Sequence, residues 1–192
     1  MLVQKRWMLI LSLLGTLLVF AGCSNTTNTD TNDGPSPDSV VKTFFDDLQK
    51  GNINQASSLL QKQADKKGLE ELTTNPEGNK IATLYLEHLN YEIGSPDING
   101  DKAAVPVKVT VPSTSKMAGS VVKEAVSGVL SGKTDLQMEK KGLQAIEGAI
   151  KDPSTPKSTY NSEIKLVKTE EGWKIKSVDM GFINAVGGAL HF

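Results

Sequence analysis

Val105, Val107, Val109 and Val111 alternate with Pro106, Lys108 and Thr110, and this period of two constrains the fold more than any other stretch. Successive strand side chains point to opposite faces, so the pattern predicts a half-buried strand whose valine face needs a cover. Segments on either side of it repeat at helical spacing and can supply that cover. The reading is an α+β domain with helices packed on one face of an antiparallel sheet. Pro106 has no ladder donor, which points to an edge strand or a bulge.

The first helix opens at Pro37-Asp38, with Asp38 or Ser39 as N-cap. Val40, Val41, Phe44, Phe45 and Leu48 recur along one face, and Gly51 ends it. Asn52 or Asn54 caps a second helix with Ile53, Ala56, Leu59 and Leu60 on its apolar side. Pro76-Glu77 starts a third, carrying Ile81, Leu84, Tyr85, His88 and Leu89. Strand residues Tyr91, Ile93 and Ile98 then lead to Asn99-Gly100, read as the two turn positions of a hairpin because both need φ > 0. A second hairpin pairs Tyr160 to Lys168 with Trp173 to Val178 around Thr169-Glu170-Glu171-Gly172.

Between the hairpins a helical insertion spans about residues 115–151. One face is Ala118, Val121, Val122, Ala125, Val126, Val129 and Leu130; the other is Leu136, Leu143, Ile146, Ala149 and Ile150. Gly132 and the Pro153–Pro156 segment punctuate it. The Gly128-x-x-x-Gly132 spacing allows close approach of a partner helix, either within the insertion or on another protein. The tail, 181–192, is apolar and glycine-rich and is a candidate to pack back on the sheet.

No disulfide can hold this domain, because Cys23 is the only cysteine. It follows a leader with Lys5 and Arg6, an apolar run from Trp7 to Phe20, and the small residues Ala21 and Gly22. That is the layout of an exported precursor. As a retained helix, residues 7–22 would rise about 24 Å, short of the roughly 30 Å hydrocarbon core. The segment Phe20-Ala21-Gly22-Cys23 resembles the lipobox of bacterial lipoproteins, with Phe20 in place of the usual leucine. The resemblance implies cleavage before Cys23 and fatty acyl (palmitate-type) chains on it, hence a membrane lipid anchor and an extracytoplasmic domain. Ser24 would not retain such a protein in a Gram-negative inner membrane; in a Gram-positive cell the outer face of the plasma membrane is the one destination.

Residues 24–37 contain no apolar side chain other than proline and read as a disordered stalk. The organisation expected is therefore a signal peptide over 1–22, lipidated Cys23 and stalk to 36, a domain over 37–180, and the tail. Removing Lys5 and Arg6 lowers the basic count from 21 to 19 against 22 acidic residues, leaving a net charge of about −3. Such a balance offers no basic footprint for nucleic acid.

Helices followed by an antiparallel sheet is the order found in nuclear transport factor 2-like cone folds. Residues 35–56 (Pro-Ser-Pro-Asp-Ser-Val-Val-Lys-Thr-Phe-Phe onward) and 160–175 (Tyr-Asn-Ser-Glu-Ile-Lys-Leu onward) resemble the opening and closing of that domain in Gram-positive lipoproteins of unknown function. The resemblance implies a cone whose sheet and helices enclose a pocket, with the insertion as a departure from the minimal cone.

No catalytic constellation stands out. His88 shares a helix face with Leu84 and Tyr85, where it can act as a general base paired with Asp46 or Asp47, or simply pack at the core edge. Tyr85, Tyr91, Tyr160 and Trp173 join it as pocket candidates, with core packing as their ordinary role. Asp97-x-Asn99-x-Asp101 starts like a calcium loop but has Lys102 and Lys108 where Gly and Glu are required. Ser131-Gly132-Lys133-Thr134 ends like a phosphate loop but lacks the leading glycine, Ser127 standing in its place. No metal-ligand spacing and no cofactor motif is present. The function expected is a non-enzymatic, lipid-anchored envelope protein that binds a protein partner or small ligand. The alternatives are an isomerase- or dehydratase-like enzyme around His88, and an accessory subunit that docks through the insertion.

Overall fold

A computed structural model describes residues 34–70, 76–115, 117–119, 122–123, 127 and 134–190, all within one compact unit, Asp33–Phe192. The leader, Cys23 and stalk residues 24–33 lie outside the described residues. So do Val121, Ala125, Val126, Val129, Leu130, Gly128 and Gly132 of the expected insertion.

Helix α1 (Pro37–Gln49) begins earlier than its polar residues suggest: Ser36, not Asp38 or Ser39, is the N-cap. Pro37 takes the first helical position, where its fixed φ is preorganised and its missing N–H is no loss. The expected stripe of Val40, Val41, Phe44, Phe45 and Leu48 is buried, and Gly51 reverses the chain at φ +69°. Helix α2 (Ile53–Ser58) has Asn52 as N-cap, with Ile53 and Ala56 buried. Helix α3 (Gln63–Glu70) has no counterpart in the sequence reading, and Leu69 is its one buried side chain.

Helix α4 (Pro76–Glu87) buries the expected face in part and extends it to one side. Ile81, Tyr85 and Leu89 are buried together with Ala82 and Leu86, whereas Leu84 and His88 sit half-buried at the flank. Ala82 and Leu86 lie one turn apart and complete a wider stripe centred on Tyr85.

The sheet is antiparallel throughout, with strands β1 (Asn90–Ile93), β2 (Asp97–Asn99), β3 (Lys102–Pro112), β4 (Lys157–Thr169) and β5 (Gly172–Ser177). Its order is β1-β3-β4-β5, with β2 also on β3. Ala103, Val105, Val107, Val109 and Val111 of β3 are buried beside Ile164 and Leu166 of β4 and Ile175 of β5, while Lys108, Glu163 and Lys165 face solvent.

Pro106 is neither at an edge nor in a bulge: β3 is central, and Pro106 pairs with Glu163. Its carbonyl accepts a hydrogen bond from the Gly94 N–H at 2.8 Å. In an extended strand the N and C=O of one residue point to the same side, so the missing donor faces the break between β1 and β2. The first turn is also displaced from its expected position. Asn99 pairs with Lys102, so the two-residue loop is Gly100-Asp101, with Gly100 at φ +58°. The second hairpin closes through Thr169 opposite Gly172, and a register shift lies between Lys165 and Leu166.

Between β3 and β4 runs helix α5 (Asp135–Lys151), whose Gln137 Oε1 accepts from the Thr134 N–H at 3.2 Å. Ile146 and Ile150 are buried and Leu143 and Ala149 partly so, but Leu136 is 78% exposed. In the preceding segment Met117 is buried, whereas the expected core positions Ala118 and Val122 are exposed. The apolar tail is helix α6 (Met180–Leu190). Phe182, Ala185 and Val186 belong to the core, so the domain does not stop at 180.

The outer edge of β5 is covered by the turn after α2. The Ile175 N–H donates to Leu59 and the Gln61 N–H to the Ile175 carbonyl, both at 2.8 Å, in a short parallel bridge.

Candidate functional site

Helix α6 closes the space between the helices and the sheet, and one carboxylate fixes it there. Asp179 Oδ1 accepts from the Phe182 N–H at 3.0 Å, which makes Asp179 the N-cap of α6. The same carboxylate accepts from the Ser162 hydroxyl at 2.7 Å and the Glu163 N–H at 2.8 Å, both on β4. Burial pushes the Asp179 carboxyl up, but its hydrogen bonds with Phe182, Ser162, Glu163 and Gly181 outweigh that and hold it below the usual range. Gly181 is required by contact: a Cβ there would run into the Asn161 carbonyl oxygen of β4.

Rings fill the space that α6 closes. Phe44 and Phe45 stand edge-on at 5.6 Å, and Phe182 lies 5.8 Å from each. Tyr85 is fully buried and its hydroxyl donates to the Ala185 carbonyl at 3.0 Å, tying α4 to α6. Burial, with the nearby Tyr160 acting in the same direction, raises the Tyr85 hydroxyl well above its ordinary pKa. It stays a neutral donor.

An apolar pocket of about 240 Å³ remains between α3, β5 and α6. Leu60, Leu69, Ile175, Val178, Phe182 and Ile183 form most of its wall, with Phe44 and Val186 deeper in. Asp65 is the one charged residue and Ser177 the one hydroxyl among the described lining residues. Such a wall favours apolar ligands over polar ones.

None of the five residues singled out in the sequence lines this pocket. Tyr85 is spent on packing and on Ala185. Tyr91 stacks on Phe45 at 4.9 Å, and its hydroxyl donates to Asp46. Tyr160 and Trp173 pack half-buried against the core. His88 directs Nδ1 at the Leu84 carbonyl, 2.8 Å away, a contact that only an Nδ1–H can make. The carboxylates considered as its partners are engaged elsewhere. Asp46 pairs with Lys42 at 2.6 Å; that bond first, and the Tyr91 hydroxyl second, hold its pKa down. Asp47 accepts from the Asn52 side chain at 3.3 Å.

A second groove lies between α4 and α5, where Glu147 bridges Lys80 at 2.9 Å and Lys151 at 2.6 Å. Lys151 and then Lys80 hold the Glu147 carboxyl down to about 2. It is a solvated ion-pair cluster.

The pocket escaped the sequence reading because two of its walls did. Helix α3 has no apolar period, and the tail had no assigned structure. The spacing of Phe182, Ile183 and Val186 was the available signal, since those residues share a helical face.

Among the described residues no group of three His, Cys, Asp or Glu side chains is placed to hold a metal ion. No described helix is long and apolar enough to cross a membrane. No protein-family model matches the chain, and no curated protein is similar to it at a significant level.

Proposed function

We propose that this is a lipid-anchored cell-envelope protein whose domain is a cone of the nuclear transport factor 2-like kind and works as a binding module. The single observation that carries the binding reading is the pocket between α3, β5 and α6, apolar in its wall and without an acid–base pair. The filled aromatic interior and the local engagement of Tyr85 and of His88 Nδ1 support the same reading. Helices on the valine face of an antiparallel sheet support the cone, and Ala21-Gly22-Cys23 after an apolar leader supports the anchor. Two acyl chains on Cys23, at about 0.8 kcal/mol per buried CH₂, suffice for stable attachment.

Two measurements test the proposal. Fatty-acid labelling and membrane fractionation of the wild type and Cys23→Ser report the anchor; label and membrane association persisting in the variant refute it. A thermal-shift screen of small apolar compounds against the chain beginning at Ser24 reports the binding module. Stabilisation by none of them, with the fold intact, refutes a small-ligand site.

A further inference from the structure

The strongest feature beyond the general binding role is the presence of a glycine in a wall of the pocket. Gly68 lies inside α3, where glycine costs a helix about 1 kcal/mol relative to alanine. Neither usual reason for glycine applies: its φ is not positive, and an added Cβ meets nothing within 4 Å. Gly68 is exposed and borders the pocket, so a long side chain there would stand at the pocket's rim.

The dimensions suit one kind of ligand. A cavity of 150 Å³ holds the six carbons of benzene, so 240 Å³ takes about ten carbons. Ile183 in the pocket wall is 44% exposed, and Met180, 65% exposed, stands three residues before it on the same helical face. We propose, building on the binding reading above, that the pocket takes the alkyl chain of a single-chain amphiphile. About ten carbons are held inside, and the remainder leaves past Gly68 over Ile183 and Met180. One chain fills the volume, so a two-chain bilayer lipid does not fit as a unit.

The test uses the chain beginning at Ser24, which keeps the whole unit Asp33–Phe192 and needs no competing detergent. Binding of straight-chain alcohols from hexanol to dodecanol is measured by displacement of a fluorescent alkyl probe, for the wild type and for Gly68→Leu. The expected result is a tightening of about fourfold per added carbon that levels off near decanol. Gly68→Leu is expected to weaken decanol binding by tenfold or more while its melting temperature is unchanged or higher, since leucine is the better helix former. No chain-length dependence, or equal binding by a folded Gly68→Leu, overturns the proposal. If compact aromatic probes bind in a Gly68→Leu-sensitive way and alcohols do not, the alkyl assignment fails while the binding module stands. If no apolar probe binds the folded wild type, both fail. Flotation with phosphatidylcholine vesicles completes the set: capture abolished by Gly68→Leu would place the chain's source in a bilayer and overturn the single-chain assignment.

Discussion

Replacing Asp179 by alanine removes at once the N-cap of α6 and its two side-chain links to β4. Loss of the cap bond to the Phe182 N–H costs about 1 kcal/mol. The Ser162 hydroxyl, on a residue only 6% exposed, loses its acceptor and adds about 1–3 kcal/mol. The Glu163 N–H belongs to an exposed residue, so water can replace the carboxylate there at small cost. The sum is about 2–4 kcal/mol, a large part of the stability of a typical domain. In a chain beginning at Ser24, Trp173 is the only tryptophan, so its fluorescence reports urea unfolding. With a slope of about 2 kcal/mol per molar, the midpoint should fall by about 1–2 M. Asp179→Asn keeps one carbonyl oxygen for the cap and for Ser162, and should fall between wild type and alanine.

The effect depends on pH with a definite sign. The folded-state pKa of Asp179 lies below its unfolded value. The carboxylate's contribution is therefore fully present above the unfolded pKa of about 3.9 and is lost as pH falls through the lower folded value. The gap between wild type and Asp179→Ala should be constant from pH 7 to pH 5 and narrow below pH 4. A midpoint shift under about 0.3 M urea at pH 7, or a gap that widens in acid, refutes the reasoning.

Three further outcomes are expected. Tyr85→Phe should destabilise the domain by about 1–2 kcal/mol in the same urea assay, because the Ala185 carbonyl loses a buried donor. Gly181→Ala should force the start of α6 off β4 and open it to limited proteolysis near Met180, whereas the wild type resists cleavage there. Gly68→Ala should stabilise the chain by up to about 1 kcal/mol, since the added methyl meets open space and improves α3; a lowered melting temperature would contradict that.

The elements that were legible in the sequence are those with a long, regular apolar period. The stripe from Val40 to Leu48 and the valines of β3 announce a helix and a strand because burial selects one face at one spacing. Helix α3 was silent because Leu69 alone is buried, and a single anchor defines no period. The flank of the α4 face is ambiguous for a related reason: Leu84 and Leu86 look alike in sequence, and packing against α6 and the sheet chooses between them. Pro106 was misjudged because chain composition does not reveal which side of a strand lacks a neighbour.

The pocket was less legible than the fold. Large aromatic side chains were reasonable candidates to line it, yet their size is what places them in the filled interior. The open volume lies where Gly68, Leu69, Val178 and Ile183, far apart in sequence, meet beside Phe44 and Phe182, two aromatics not among the candidates.

The short bridge from Leu59 and Gln61 to Ile175 has a consequence for molecules crowded side by side on a surface. Unpaired strand edges recruit one another, and a chain held at high local density meets its own copies constantly. Here the residues after α2 occupy the β5 border at its centre. At the opposite border β1 and β2 are short and separated by the Gly94–Pro96 break. The borders formed by β5 and by β1 and β2 are thus covered or interrupted, and offer copies of the chain no continuous edge to pair along.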